Sequence, residues 1–354
     1  MADLKGGGQL NLAKLDLVQR RNHILKVAMD ALPETSRQVL SILALLSEAV
    51  DYPTLCALAA PQDPANAVRD LEGRGLLQYD SQTERYDLHP VVRSVVAGGL
   101  RPEEKDSYGQ RVVDHFSARP HSPYEKAETL DDVRDGLHVV RTLLKIGHYQ
   151  EAFEAYGGDL ADALSFNLEA NAETLSLLRS FFLQGWGILP DTVKEDDGRY
   201  LANYAGNALN RLGEPSGSLA AYGAALSADL QGADWSSVRV SLSNISTTLR
   251  SQNRLAQEDR CVLAALNVAT LIDDQETLFR ARLGRFEQLA NIGQWADAQA
   301  IWDLLDPMGR DWSRFRYRPG DAEVHYARFR FWQGDLNEEH LAHAEQLALS
   351  LIHI

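Results

Sequence analysis

His89 stands in the sequence context best suited to chemistry. It follows a short alternating segment and directly precedes a proline, within YDLHPVVR at residues 86–93. A histidine at such a strand–helix junction can have one ring nitrogen fixed by the backbone while the other faces a phosphate or a water molecule. It can equally serve only as a structural cap of the junction. The residues around it leave both interpretations open.

The other reactive residue types form no recognisable catalytic or metal site. The phosphate-binding pattern G-x-x-x-x-G-K-[ST] occurs nowhere, and the glycines at 6–8 lack its spacing and its lysine. Without that lysine and a magnesium-holding hydroxyl, this chain cannot hydrolyse ATP. Cys56 and Cys261 stand alone in helical contexts and indicate buried thiols in a reducing compartment. His340 and His343 have the spacing of one helix face but no third ligand, so we predict no metal site.

Composition describes an ordinary globular chain with an acidic surface. The 354 residues carry a formal net charge of −15, which disfavours binding to phosphate backbones. No apolar run approaches the roughly 20 residues of a transmembrane helix, and the N-terminus lacks the apolar core of a signal peptide. We therefore expect a cytoplasmic protein that binds neither nucleic acid nor membrane.

The first third of the chain predicts helices followed by a hairpin. An amphipathic pattern spans residues 13–32, and new helix starts lie at Pro33, Asp51 and Asp63. The hydrophobic period then changes from 3.6 to 2, which predicts strands at 76–79 and 85–88 around a polar turn. Three helices followed by a two-stranded wing are typical of a winged helix.

The charge of this region argues against a DNA-reading winged helix. Residues 61–88 contain three arginines and six acidic residues, a net charge of −3. A helix that reads the major groove is normally basic, so we predict no nucleic-acid partner.

Three segments carry a family resemblance: LPETSRQVLSILALL at 32–46, AVRDLEGRGLLQYD at 67–80 and YDLHPVVRSVV at 86–96. Together they resemble the winged-helix subdomain of NB-ARC-type STAND signalling ATPases. Leu88-His89-Pro90 falls where that family has a Met-His-Asp signature, whose histidine contacts the β-phosphate of bound ADP. The resemblance implies that role for His89 alone, since Leu88 and Pro90 depart from the signature. It also implies that ADP or ATP binds only in a longer protein whose nucleotide domain precedes this piece, and that this chain holds no cofactor.

Beyond residue 119 a turn recurs at a fixed period. Gly213, Asn253, Gly293 and Gly334 are 40, 40 and 41 residues apart, and Gly147 marks an earlier instance. We expect one degenerate helix pair in the longer gap between Gly147 and Gly213. This period resembles that of tetratricopeptide (TPR) repeats with long connections, whose stacked helical hairpins bury a continuous core and leave a groove.

The best repeat copy indicates close helix packing. Gly206 and Ala225 would let its two helices approach, and Tyr222 would fill the space between neighbours. Ser218 and Glu258 depart from the pattern, because a small alanine is usual at their position.

One helix face of that copy is the predicted partner-binding surface. Asn203, Asn207, Asn210 and Arg211 would point into the groove, where amides and a guanidinium can bind a peptide backbone or a carboxylate. The alternative is that these are ordinary solvated polar residues.

We therefore predict a mainly α protein: a winged helix with one small β-hairpin, then an α-solenoid of TPR-like hairpins. The expected divisions are a disordered or severed linker (1–12), the winged-helix region (13–118), a linker (119–134), the solenoid (135–348) and a tail (349–354). LSLIHI in the tail matches the translation of a transposon adapter used in sequencing libraries, so we expect it to be non-native.

The predicted function is a non-catalytic sensor and regulatory piece of a STAND-type nucleotide switch. Its partners would be a protein or peptide trigger and the upstream nucleotide-binding domain. The protein could also form an oligomer when it is activated. A winged-helix transcription regulator with a repeat-type effector domain, or a plain TPR scaffold, are the alternatives.

Overall fold

A computed structural model of the chain describes residues 25–60, 62–272, 274–309, 321–334 and residue 342. The chain divides into two compact units after Phe181. The predicted segments 1–12 and 349–354, and the histidine pair at 340 and 343, lie outside the described residues. No described helix is long and apolar enough to cross a membrane.

The first unit begins with helices and short strands in alternation, after a helical stretch at 25–30. In chain order these are α1 (Glu34–Leu45), β1 (Val50–Asp51), α2 (Tyr52–Ala59), α3 (Ala65–Gly73), β2 (Gln78–Asp80), β3 (Arg85–Asp87), α4 (Pro90–Gly99) and α5 (Pro102–Ser117). The helix starts predicted at Pro33, Asp51 and Asp63 are all close to observed starts. At Asp51 the reason is visible, because its carboxylate accepts a hydrogen bond from the Thr54 amide at 2.8 Å.

The strands form one small antiparallel sheet in the order β1-β3-β2. Tyr86 of β3 pairs with Tyr79 on one side and Val50 on the other, and the two tyrosine rings lie 4.9 Å apart. The predicted hairpin is therefore present. The strand β1 was not predicted, because two residues are too few to show an alternating pattern.

The core of this part is built around α1. Every residue from Val39 to Leu46 is buried, because α1 packs against α2, α3, α4 and α5 on different sides. The second half of α1 is thus surrounded by other helices, whereas Glu34, Thr35 and Arg37 in its first half are exposed.

The remainder of the first unit is helical. It contains α6 (Arg134–Ile146), α7 (Tyr149–Tyr156), α8 (Asp159–Asp162) and α9 (Asn171–Leu178). Gly147 connects α6 to α7 in a left-handed conformation, with φ of 88°. The degenerate pair expected between Gly147 and Gly213 corresponds to short helices, a π-helical turn at 163–167 and an irregular run at 179–194.

The second unit is a series of long helices that pack in consecutive pairs. They are α10 (Glu195–Arg211), α11 (Pro215–Gln231), α12 (Trp235–Ser251), α13 (Leu255–Ile272), α14 (Gln275–Asn291), α15 (Trp295–Gly309) and α16 (Asp321–Trp332). The recurring residues Gly213, Asn253, Gly293 and Gly334 all have positive φ, from 57° to 82°. Glycine and asparagine tolerate this left-handed turn best, which explains their recurrence. The predicted mainly α fold with stacked helical hairpins is confirmed.

Gly206 and Tyr222 make the closest approach between paired helices. A Cβ on Gly206 would lie 2.4 Å from Tyr222 Cε1, so only glycine fits against this ring. One and two repeats further on, the pair becomes Ser246 with Val262 and Phe286 with Trp302. At the last of these the two rings pack directly, 5.1 Å apart.

Two buried polar side chains of the second unit are paired across helices. Ser218 and Glu258, the two departures from the repeat pattern, are 0% and 1% exposed. Ser218 Oγ lies 3.2 Å from Thr248 Oγ1, and Glu258 accepts from Arg250 Nε at 2.6 Å. Both partners lie on α12. Each departure thus has a polar partner in the core, and the one buried atom of the two side chains that has no hydrogen bond is Oε2 of Glu258.

Candidate functional site

His89 lies at the junction between β3 and α4, with its ring exposed. It is the N-cap residue of α4, and its Nδ1 accepts a hydrogen bond from the Val91 amide at 3.2 Å. A neutral imidazole whose Nδ1 accepts carries its proton on Nε2. The exposed ring can therefore donate a hydrogen bond from Nε2 to an acceptor outside the helix.

A cluster of cations from several helices includes Arg93, which lies one turn after His89 on α4. Arg93 donates to the Leu43 carbonyl at 2.9 Å and to the Leu46 carbonyl, and it pairs with Asp87. Lys145 of α6 donates to the carbonyls of Leu45 and Leu46 at 2.9 and 2.8 Å. These cations occupy the carbonyls that a helix C-terminus leaves unpaired, and they complement its negative dipole end.

Lys145 is the most perturbed group of this cluster. Burial, together with the neighbouring cations Arg93, Arg141 and Lys105, lowers the pKa of its amine to about 7. Pro90, Arg93, Lys105 and Lys145 line a cavity of about 330 Å³. The cavity begins next to His89, at the first turn of α4.

Two of the predicted partner-binding amides already bond within the second unit. Asn207 Oδ1 accepts from the Tyr222 hydroxyl at 2.6 Å. Asn203 donates to the Arg199 carbonyl at 3.1 Å and accepts from Asn244 of the next helix pair at 3.2 Å. These contacts give both side chains a role in packing helices against each other.

Asn210 and Arg211 complete the predicted set at the end of α10. Asn210 is partly buried and Arg211 is exposed. The four residues lie on one helix, at positions that share a face. Partner binding by them stays a prediction.

A cavity of about 190 Å³ lies one repeat further along the chain, between α12 and α14. Its walls include Ser243, Thr247 and Arg250, which are each 40 residues after the predicted Asn203, Asn207 and Asn210. The repeat positions chosen from the sequence thus line a cavity in the next copy.

One end of this cavity holds a dense ion-pair network centred on Glu287. Its carboxylate lies 2.7 Å from Arg250, 3.2 Å from Arg328 and 3.7 Å from His325. Burial by itself would raise the pKa of Glu287, but these three groups more than offset it and the pKa is lowered. Glu287 is therefore an anion, and Arg250 is held between it and Glu258.

Arg239 and Arg280 lie on the walls of the same cavity. Sequence reasoning missed both, because neither stands at a position equivalent to the predicted amides. The one available signal was the 40-residue period, because Arg239 occupies the repeat position that Arg199 has in the preceding copy. Among the described residues, no cluster of three or more His, Cys, Asp or Glu could hold a metal ion.

Comparison with known proteins gives distant structural likeness. No family model and no curated protein matches the chain. The crystal structure of a STAND protein with a tetratricopeptide repeat sensor from Pyrococcus horikoshii is 14% identical, with a TM-score of 0.38, and the match covers 94% of this chain and 65% of that one. BtubC (BKLC) from P. vanneervenii is 12% identical, with a TM-score of 0.43, over 72% of this chain and 94% of that one. Likeness at this level assigns no family or function.

Proposed function

We propose that this chain is a non-catalytic sensor and regulatory part of a STAND-type nucleotide switch. In this proposal the helices and hairpin of residues 34–99 form a winged helix that holds the ADP-bound resting state of an upstream nucleotide domain. The TPR-like repeats of the second unit bind a protein or peptide trigger.

The observation that carries the proposal is the arrangement of His89. Its Nδ1 is occupied by the backbone of α4 and its ring is exposed, so Nε2 is left to donate to an acceptor on a neighbouring domain. A phosphate oxygen is such an acceptor, and a hydrogen bond to a charged group contributes about 1.5–3 kcal/mol. The order of helices and strands before His89, with its three-stranded sheet, supports the winged-helix interpretation.

A trigger acts on such a switch through its differential affinity for the open and closed states. Moving the population from 1:99 to 99:1 requires about 5.5 kcal/mol of differential binding. One hydrogen bond to ADP is smaller than that, so His89 would be one of several contacts that hold the closed state.

The test is calorimetric binding of ADP to this chain joined to the upstream region of its gene. His89→Asn keeps a good N-cap residue but removes the imidazole donor. We expect it to weaken ADP binding about tenfold or more, from the free energy of one charge-assisted hydrogen bond. His121→Asn, at another exposed histidine of the first unit, should leave binding unchanged.

Two results would count against the proposal. Equal ADP affinity of the His89→Asn variant and the unmodified protein would reduce His89 to a structural cap. Absence of a nucleotide-binding domain upstream would favour a plain repeat scaffold instead.

The charged side chains at the third helix, α3, argue against the transcription-regulator alternative. Arg74 pairs with Asp70 at 2.7 Å, and Arg69 donates to Asn66 at 3.0 Å. Arg69 of α3 and Arg74 at its C-terminal end are thus both engaged by side chains of α3, within a segment of net negative charge.

A further inference from the structure

The cavity between α12 and α14 is lined by more cations than anions. Arg239, Arg250 and Arg280 stand on its walls with one carboxylate, that of Glu287, and with His325. Arg250 is fully engaged by Glu258 and Glu287, as described above. Arg280 pairs with Glu276 at 2.9 Å. The net charge at the other end of the cavity therefore depends on whether Arg239 has an ion-pair partner.

Arg239 has no ion-pair partner within 4 Å among the residues that the structure describes. Its Nε is buried and has no hydrogen-bond partner there. Burial lowers the pKa of Arg239, and the nearby guanidinium of Arg280 lowers it further. The carboxylates of Glu276 and Asp274 act on Arg239 in the opposite direction without bonding to it. An arginine cannot lose its charge at physiological pH, so this end of the cavity holds a cation with no direct ion-pair partner among the described residues.

The acids nearest to Arg239 have other roles. Asp274 caps α14 by accepting from the Thr277 amide at 2.7 Å. Glu276 is bonded to Arg280 through two of its guanidinium nitrogens. Neither can turn to Arg239 without giving up a contact that stabilises α14.

The cavity is also elongated. Arg239 and Arg250 are eleven residues apart on α12, which is about 16 Å along a helix axis. Val262 and Ala265 of α13 form an apolar part of the lining, and Gly284 faces open space, with nothing within 4 Å of where its Cβ would be. A ligand that fits has an anionic group at one end and a narrow body of mixed polarity.

We propose that Arg239, with Arg280 beside it, binds a carboxylate of an acidic peptide that lies in this cavity. This inference rests on the proposed function, since it names the chemistry of the trigger that the repeats bind. A planar carboxylate matches the fork of a guanidinium and can be bound by one cation that lacks a direct ion pair. A phosphate carries about −1.5 to −2 charges, more than Arg239 can neutralise alone, because Arg280 is already paired with Glu276.

The test is selection of displayed random decapeptides on the full chain. The same selection is run on Arg239→Gln and on the control Arg254→Gln, an exposed arginine outside the cavity. We expect peptides selected on the unmodified chain and on the control to share an Asp or Glu at one position. Arg239→Gln should lose that preference. Circular dichroism confirms that each variant is folded.

Calorimetry on one synthesised winning peptide then measures the contribution of the carboxylate. We expect Arg239→Gln to weaken binding about ten- to a hundredfold, the range for one charge-assisted pair. Replacing the acidic residue of the peptide by its amide should have a similar effect. With the amide peptide, Arg239→Gln should make little further difference.

The possible failures separate the two proposals. Winning peptides without an acidic residue, or equal binding to Arg239→Gln, would overturn the carboxylate site but keep a peptide-binding repeat unit. A phosphoserine peptide that binds more tightly than the Asp peptide would also overturn it, in favour of phosphate. If no peptide is selected at all, both this site and the trigger-binding role of the repeats are contradicted.

Discussion

Gly206 and Gly223 lie in adjacent helices, and we expect replacement by alanine to have opposite effects on stability at the two positions. A Cβ added to Gly206 would lie 2.4 Å from Tyr222 Cε1 and 2.7 Å from Cδ1, whereas nothing lies within 4 Å of one added to Gly223. Carbon atoms in normal contact are about 3.5–4.0 Å apart. The Tyr222 ring would thus have to move by about 1 Å to accept Gly206→Ala.

The size of the effect follows from what holds that ring. Tyr222 is 2% exposed and its hydroxyl donates to Asn207 at 2.6 Å, so the ring cannot swing into solvent. Overpacking of a core costs about 1–3 kcal/mol, and the strained hydrogen bond adds about 1 kcal/mol. Alanine in place of glycine in a helix returns about 1 kcal/mol. We expect Gly206→Ala to lower the free energy of unfolding by about 2 kcal/mol, and Gly223→Ala to raise it by up to about 1 kcal/mol.

Tryptophan fluorescence in urea is the suitable assay. All six tryptophans lie after residue 181, so their emission follows the second unit. With a urea dependence of about 2 kcal/mol/M, the Gly206→Ala midpoint should fall by about 1 M and the Gly223→Ala midpoint should rise by up to about 0.5 M. Tyr222→Leu in the Gly206→Ala background should restore part of the loss, because the shorter side chain vacates the contested space. Equal midpoint shifts for the two alanine variants would refute the steric reasoning.

Two further predictions concern buried charges. Lys145 has a pKa of about 7 in the fold against 10.5 when free, so between those values the unfolded chain binds more protons and stability increases with pH. Lys145→Met should flatten this pH dependence by up to about 1.4 kcal/mol per pH unit, whereas Lys126→Met, at an exposed lysine, should not. The measurement is urea unfolding followed by circular dichroism at pH 7.5 and 9.5. An unchanged pH dependence in Lys145→Met would contradict the lowered pKa of Lys145. Glu258→Ala should cost about 3 kcal/mol, the low end for a broken buried pair because Arg250 keeps Glu287. The double variant Arg250→Met/Glu258→Leu should recover most of that loss in the fluorescence assay, and a double variant as unstable as the single one would show that the ion pair is not the cause.

The repeat architecture could be predicted because its turns constrain residue type. A left-handed turn accepts glycine or asparagine and little else, so Gly213, Asn253, Gly293 and Gly334 reveal the period directly. The hairpin was equally visible from its alternation. The strand β1 was not, since its two residues are ordered by pairing with β3 and not by their own pattern.

The candidate sites were harder to predict, because polarity does not say where a side chain's hydrogen bonds go. Asn207 is polar and lies on the expected face, yet its oxygen accepts from a tyrosine of the paired helix. Arg239 is one arginine among many in the sequence. It becomes distinct only when Asp274 is seen to cap a helix and Glu276 to pair with Arg280, which are facts of three-dimensional placement.

The buried polar pairs also make the hairpins non-interchangeable. Arg250 needs Glu258 from the helix that follows it, and Glu287 from the next pair. Deleting the 40 residues from 253 to 292 would preserve the period but bring Ala298 to the place of Glu258 and remove both carboxylates. A guanidinium would then be buried with no counter-charge. The order of the central hairpins in this array therefore depends on such individual contacts.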